Sequence, residues 1–217
     1  MIFGISGFIG SGKGTVATQL TEQYGFRKDS FAASLKDACA VMFDWPRDML
    51  EGEAAESREW REQVDEWWSV KLGIPNLTPR LALQLIGTDA LRNNFSDAMW
   101  FTTLENRIRK NPNQNVVISD VRFPNEIKFI QDMGGIMIKV NREPAPVWYE
   151  TAILANKGNS LARDAMTTLY SAAHFSEWAW VGAKFDYEIN NDSTFEELVP
   201  QIEDIINDIS RQRKEST

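Results

Sequence analysis

The chain has one cysteine and one histidine in 217 residues. With Cys39 alone, no disulfide can form within the chain and no C-x-x-C zinc pair can be drawn. With His174 alone, H-E-x-x-H metal sites are excluded and a Ser-His-Asp hydrolase has little support. Positive charge is also in deficit, with Lys+Arg of 23 against Asp+Glu of 31 and a formal net charge of −8. That argues against an extended grip on duplex nucleic acid, which needs clustered cations. A small phosphorylated ligand stays within reach, because a few amides and one or two cations suffice locally. Long hydrophobic runs are missing as well: no stretch approaches the roughly 20 apolar residues of a membrane helix. The apolar start MIFGISGFIGSGKG lacks a basic head and is broken by five glycines, so it does not read as a signal peptide. The expectation is a soluble, cytoplasmic protein of a reducing compartment, with no nucleic-acid or membrane partner.

What is present alternates between strand and helix patterns. Ile2–Ser6 reads as a short apolar strand that breaks into glycines, and Gly14–Tyr24 follows with helical spacing at Val16, Leu20 and Tyr24. Phe26–Phe31 is a second short strand and Leu35–Phe43 a helix. Residues 45–78, charged and rich in tryptophan, read as a helical insertion. Leu81–Phe95 and Ala98–Ile108 read as two helices joined near Ser96, a candidate N-cap. Asn115–Ser119 is β-branched and apolar throughout, as a central parallel strand should be. A helix opens at Pro124 and ends at Gly134-Gly135, and Ile136–Val140 is the next strand. Residues 143–182 show no clean period and read as lid-like, with a turn at Gly158-Asn159. Tyr187–Asn190 is a last strand, and Thr194–Ile209 the closing helix, its start marked by Thr194 and Glu197. No internal repeat is found. The alternation predicts a parallel α/β sandwich.

The decisive motif is Gly7-Phe-Ile-Gly10-Ser11-Gly12-Lys13-Gly14-Thr15, which fits G-x-x-x-x-G-K between a strand and a helix. Glycines let successive backbone N–H groups turn toward phosphate oxygens, the helix start adds its positive end, and Lys13 reaches the β/γ-phosphates. Gly10, Ser11, Gly12, Lys13, Gly14 and Thr15 are therefore the expected ATP-binding residues. Gly14 stands where Ser/Thr commonly holds Mg²⁺, so Thr15 is the candidate metal residue, acting through water. The expected fold is a three-layer P-loop NTPase domain over residues 1–217, with the 45–78 insertion on the acceptor side and the 143–182 segment as lid.

Two clusters offer an acceptor site. Asp120-Val-Arg122-Phe-Pro-Asn-Glu126 follows the NVVIS strand, at the carboxyl end where open α/β sheets bind ligands. Arg122 could clamp a phosphate bidentately, and the carboxylates could orient a sugar, base or hydrated metal; a surface Arg–Glu pair beside an Asp cap fits the spacing as well. Arg80 and Gln84-Leu-Ile-Gly87-Thr88-Asp89 form the second cluster, with Trp100 placed either to stack on a base or to pack in a core.

These residues occur in one order: the G-K-G-T loop, Arg80 with Q-L-I-G-T-D, Asn93-Asn94-Phe95 with Trp100, Asp120-x-Arg122-x-x-x-Glu126, and His174-x-Ser176-Glu177. The series resembles the bacteriophage deoxynucleoside monophosphate kinases. The resemblance runs over residues 2–209 and is weak in 45–78 and across much of 143–173. It implies transfer of the ATP γ-phosphoryl group to a dNMP, with Mg²⁺, in a homodimer of the host cytoplasm. It implies that Lys36, Arg80, Gly87, Thr88, Trp100, Asp120, Arg122 and Glu126 line the acceptor pocket. Lys13, Arg80, Asp120 and Arg122 are the catalytic candidates, and Arg142 and Arg163 the lid candidates; His174 is a lid, interface or structural residue. The rival readings are another small-molecule P-loop kinase, similar to dephospho-coenzyme A kinase with Asp120 as base, and a nucleotide-gated binding protein.

Overall fold

A computed structural model describes residues 1–52 and 54–215. Glu53 in the expected insertion, and Ser216 and Thr217 at the end of the polar tail, lie outside the described residues. In chain order the elements are β1 (Ile2–Gly7), α1 (Lys13–Tyr24), β2 (Arg27–Asp29), α2 (Ala33–Phe43), α3 (Ala55–Trp60) and α4 (Glu66–Leu72). Then come α5 (Pro79–Gln84), a π-helical segment Leu85–Arg92, α6 (Met99–Lys110), β3 (Val116–Ile118), α7 (Pro124–Asp132) and β4 (Ile136–Asn141). The chain closes with α8 (Tyr149–Asn156), α9 (Ser160–Thr168), α10 (Phe175–Trp178), β5 (Tyr187–Asn190) and α11 (Phe195–Glu215). The packing divides into two compact units, Met1–Asp29 with Asn113–Thr217, and Ser30–Pro112.

The first unit is a five-stranded parallel sheet in the order β2-β3-β1-β4-β5. Alternation along β1 covers both faces of the sheet. Phe3 and Ile5 join Val16 and Leu20 of α1 and Leu198, Ile202 and Ile205 of α11 in one buried cluster. Gly4 points the other way, where a Cβ would lie 2.5 Å from Met137 Sδ and 2.7 Å from Ile130 Cδ1 of α7. The result is the expected three-layer α/β arrangement. Because all strands run the same way, β1, β3, β4 and β5 end on one edge, and their carboxyl ends lead into the loops described below.

The second unit is helical. Leu35, Cys39, Trp45, Leu50, Leu77 and Ala82 form its buried cluster. Trp45 stacks on Phe43 with ring centroids 4.2 Å apart, and its indole N–H donates to Asp65 Oδ2 at 2.9 Å. Burial pushes the Cys39 thiol up to about 11, so it packs as a small apolar group.

Two segments depart from their expected form. Leu81–Phe95 is not one α-helix: α5 gives way to the π-helical segment at Leu85. The wider turn falls on Gly87-Thr88-Asp89, where Gly87 lies so close to Leu35 that a side chain would overlap it. Residues 143–182, where no clean period is legible, contain three helices. α8 and α9 form a helical hairpin, turned at Gly158 (φ 93°) and capped by Asn159, whose side chain accepts from Ala162 N at 3.0 Å. Its period is illegible because α8 buries Ala152 and Ala155 while Leu154 is half-exposed, so size and apolarity do not mark the inner face.

Candidate active site

In the first unit, β1 runs into the glycine loop and the loop into α1. Gly10 (φ 80°) and Gly12 (φ 97°) take left-handed conformations that glycine adopts without strain. A Cβ on Gly7 would lie 2.5 Å from the Val140 carbonyl and 2.6 Å from Ser11 Oγ, so the bend also requires an absent side chain there. No side chain caps the start of α1, and no acidic residue stands in its first turn. Its leading N–H groups therefore remain available to an anion. Ser11 Oγ is buried without a hydrogen-bond partner among the described residues, an orphan that a phosphate oxygen would satisfy. Lys13 Nζ donates to the carbonyls of Gly7 and Phe8, both at 2.8 Å. Burial holds its pKa below the usual lysine value, against the opposing pull of Asp120 and Glu177. Thr15 is exposed on the first turn of α1.

The turn after β3 is fastened to the loop's own strand. Val121 N donates to the Ile5 carbonyl at 3.1 Å, and Ser6 Oγ to the Val121 carbonyl at 2.8 Å. Arg122 stands between two carboxylates: its Nε donates to Asp120 Oδ1 at 2.6 Å and its Nη1 to Glu177 Oε1 at 2.7 Å. Glu126 reaches back over the start of α7, its Oε2 accepting from Arg122 N at 2.7 Å and Phe123 N at 3.1 Å. Burial pushes the Glu126 carboxyl up to about 7, with those two amides opposing the rise. Two further side chains hold the loop from the ends of β4 and β5. Arg142 Nη1 donates to the Gly10 carbonyl at 3.1 Å and Asn191 Nδ2 to the Ser11 carbonyl at 2.9 Å. Phe8 packs into an aromatic group with Trp148 and Trp180, at 5.3 and 4.9 Å between centroids.

The remaining candidates lie in the second unit. Lys36 Nζ pairs with Glu51 Oε2 at 2.5 Å, and Arg47 shares the same carboxylate. Arg80 forms an exposed pair with Glu62 at 2.8 Å. Trp100 donates its indole N–H to the Gly87 carbonyl at 3.2 Å and packs against the buried cluster. The Thr88 carbonyl accepts from Asn93 N at the end of the π-helical segment.

A family model described as deoxynucleotide monophosphate kinase matches residues 53–153. The chain is 36% identical over 156 residues to a protein of Acanthamoeba polyphaga mimivirus, provisionally named a deoxynucleotide monophosphate kinase. That alignment covers 65% of this chain and 74% of the viral one. The chain belongs to the deoxynucleotide monophosphate kinase family. It also matches the deoxynucleoside-5'-monophosphate kinase of Escherichia phage T5, at 36% identity over 69 residues, 30% of this chain and 28% of that enzyme. Among solved structures, shikimate kinase from Aquifex aeolicus (14% identity, TM-score 0.43, 98% of both chains) and dephospho-CoA kinase from Campylobacter jejuni (14%, 0.44, 96% of both) are similar. Likeness at that level is too distant to bear on fold or substrate, and the fold rests on the sheet itself.

Within the kinase, the side chains of Lys13, Asp120, Arg122 and Glu126 gather around one loop system of the first unit. Lys36, Arg80, Gly87, Thr88 and Trp100 all belong to the second. His174 is engaged structurally: its Nδ1 accepts from Ser176 N at 3.3 Å and caps α10. Arg163 is exposed and donates to the Ala155 carbonyl of α8. Glu177 and Asn191 were not singled out as site residues by sequence. Asn191 follows a parallel strand at its carboxyl end, the one signal that marks it. Glu177 belongs to the His174-x-Ser176-Glu177 motif, but nothing in the sequence ties it to a guanidinium 55 residues away.

Proposed function

We propose that this kinase transfers the γ-phosphoryl group of ATP to the phosphate of a deoxynucleoside monophosphate, giving ADP and dNDP. The observation that carries the reading is the uncapped start of α1 with Lys13 in the glycine loop, set beside Arg122, in a chain of this family. In-line phosphoryl transfer needs little covalent chemistry from the protein; positioning and charge stabilisation dominate. Gly10, Ser11, Gly12, Gly14 and Thr15 cradle the ATP phosphates. Lys13 leaves the Gly7 and Phe8 carbonyls and follows the migrating group. Arg122 holds the acceptor phosphate, which is already an anionic nucleophile and needs no general base. Lys36, Arg80, Gly87, Thr88, Trp100, Asp120 and Glu126 belong to the acceptor side in this reading.

The donor set suits a hydrated metal ion, because the available ligands are hard oxygens and no group of three or more His, Cys, Asp or Glu residues gathers among the described residues. Thr15 would hold Mg²⁺ through water, and the ion supplies charge neutralisation on the β- and γ-phosphates. The 143–182 segment, with Arg142 on the loop, is the lid that excludes water and limits wasteful hydrolysis. No helix among the described residues is long and apolar enough to cross a membrane. A homodimer acting in the host cytoplasm completes the reading.

The test is coupled ADP release with ATP–Mg²⁺ against dNMPs, NMPs and dephospho-coenzyme A. Turnover with one or more dNMPs is expected. Activity on dephospho-coenzyme A alone would move the reading to a hydroxyl kinase, and slow ATP loss indifferent to acceptor would leave a nucleotide-gated binding protein.

A further inference from the structure

We propose that Glu177 is a positioning residue for the transfer: it holds Arg122 by Nη1 so that the opposite edge of the guanidinium, Nε with Nη2, is presented to the acceptor phosphate. The proposal rests on the reading of Arg122 as the phosphate clamp. Nη1 is committed to Glu177 and Nε to Asp120, while Nη2 has no hydrogen-bond partner among the described residues. Nε–H and one Nη2–H point the same way from the planar guanidinium and form a fork matched to two phosphate oxygens. Asp120 occupies only the Nε half of that fork. If Asp120 is displaced, the whole fork opens without disturbing the bond to Glu177.

Exposure decides which carboxylate gives way. The Glu177 side chain is 18% exposed and that of Asp120 55%. A pair with a solvated carboxylate is screened and exchanges readily with an arriving dianion, whereas breaking the more buried pair leaves a poorly hydrated charge behind. The platforms differ in the same sense. Glu177 stands on α10, capped at its start by His174 and anchored by the buried Trp178. From α8, Asn156 Nδ2 donates to the carbonyls of Trp178 and Val181, both at 2.8 Å. The 143–182 segment thus reaches the acceptor clamp through one carboxylate, and Glu177 sets where Arg122 stands when the phosphate arrives.

Steady-state kinetics of the full chain with ATP–Mg²⁺ and a dNMP that the parent turns over test this, together with ATP binding measured without acceptor. Glu177→Gln is expected to lower kcat/KM for the dNMP on the order of 10–100-fold, the cost of a misplaced clamp, with ATP binding and melting temperature close to the parent's. Glu177→Asp, which keeps the charge, should recover part of the loss. In an Arg122→Lys background, where the fork is already gone, Glu177→Gln should change kcat/KM by no more than about twofold. Parental kcat/KM in Glu177→Gln, or the same loss in both backgrounds, would overturn the proposal. Parental turnover in Arg122→Lys alone would remove the clamp itself, and with it the role given to Glu177.

Discussion

Replacing Gly12 by alanine tests whether the loop's shape is imposed by its backbone. Gly12 has φ of 97°, and a Cβ there would overlap the side-chain amide of Asn191, the group that donates to the Ser11 carbonyl. Left-handed backbone costs a non-glycine residue about 1–2 kcal/mol, and the displaced Asn191 forfeits a hydrogen bond of about 1 kcal/mol. The sum, roughly 2–3 kcal/mol, lowers the melting temperature of a chain this size on the order of 5–10 °C. The same change tilts the leading N–H groups of α1 away from the phosphates, so the KM for ATP should rise. Gly14→Ala is the control: its φ is not positive and its added Cβ meets nothing within 4 Å. There the lower entropy of alanine in a helix should stabilise by up to about 1 kcal/mol. Thermal unfolding followed by circular dichroism and ADP-release kinetics read both variants. A Gly12→Ala protein melting with its parent and binding ATP as well would refute the argument from loop geometry.

Lys13→Ala should cut kcat by about 10²–10³-fold, the scale of one lost transition-state donor, with the circular dichroism spectrum unchanged; undiminished turnover would show that the lysine does not follow the phosphoryl group. The Glu126 carboxyl lies at about 7 in the folded chain against an ordinary 4.5. Its protonated form is therefore favoured by folding, and its contribution is complete below about pH 4.5 and lost as pH rises through 7, a change on the order of 3 kcal/mol. Glu126→Gln should accordingly raise the melting temperature at pH 8 and leave it near the parent's at pH 5; a lower melting temperature at pH 8 would mean that the ionised carboxylate braces α7. Trp100→Phe removes the donor to the Gly87 carbonyl and should cost about 1 kcal/mol, seen as a lowered melting temperature of the variant; an unchanged melt would show that the bond contributes nothing to the second unit.

The parallel sheet was legible because β1 and β3 are short apolar runs bounded by glycine and polar turns, and the loop because glycine spacing records a backbone requirement directly. The helical hairpin of α8 and α9 was not legible: it buries Ala152, Ala155 and Ala162 beside Met166 while Leu154 and Leu161 are exposed, and period detection depends on large apolar residues marking the inside. The π-helical segment was not legible either, since Leu85–Arg92 keeps an amphipathic pattern of the kind an α-helix shows. Within the candidate site, Asp120, Arg122 and Glu126 were found through local spacing. Their partnerships were not. The carboxylate that takes Arg122 Nη1 comes from α10, and the amides that occupy Glu126 come from its own helix start. Long-range ion pairs leave no periodic trace in a single sequence.

The most direct test of the account is to follow the phosphorus. With ATP labelled at the γ-phosphate and a dNMP acceptor, the account predicts that the label appears in the β-phosphate of dNDP at the rate of ADP release. Label recovered as inorganic phosphate, at a rate that does not depend on which nucleotide is added, would contradict it.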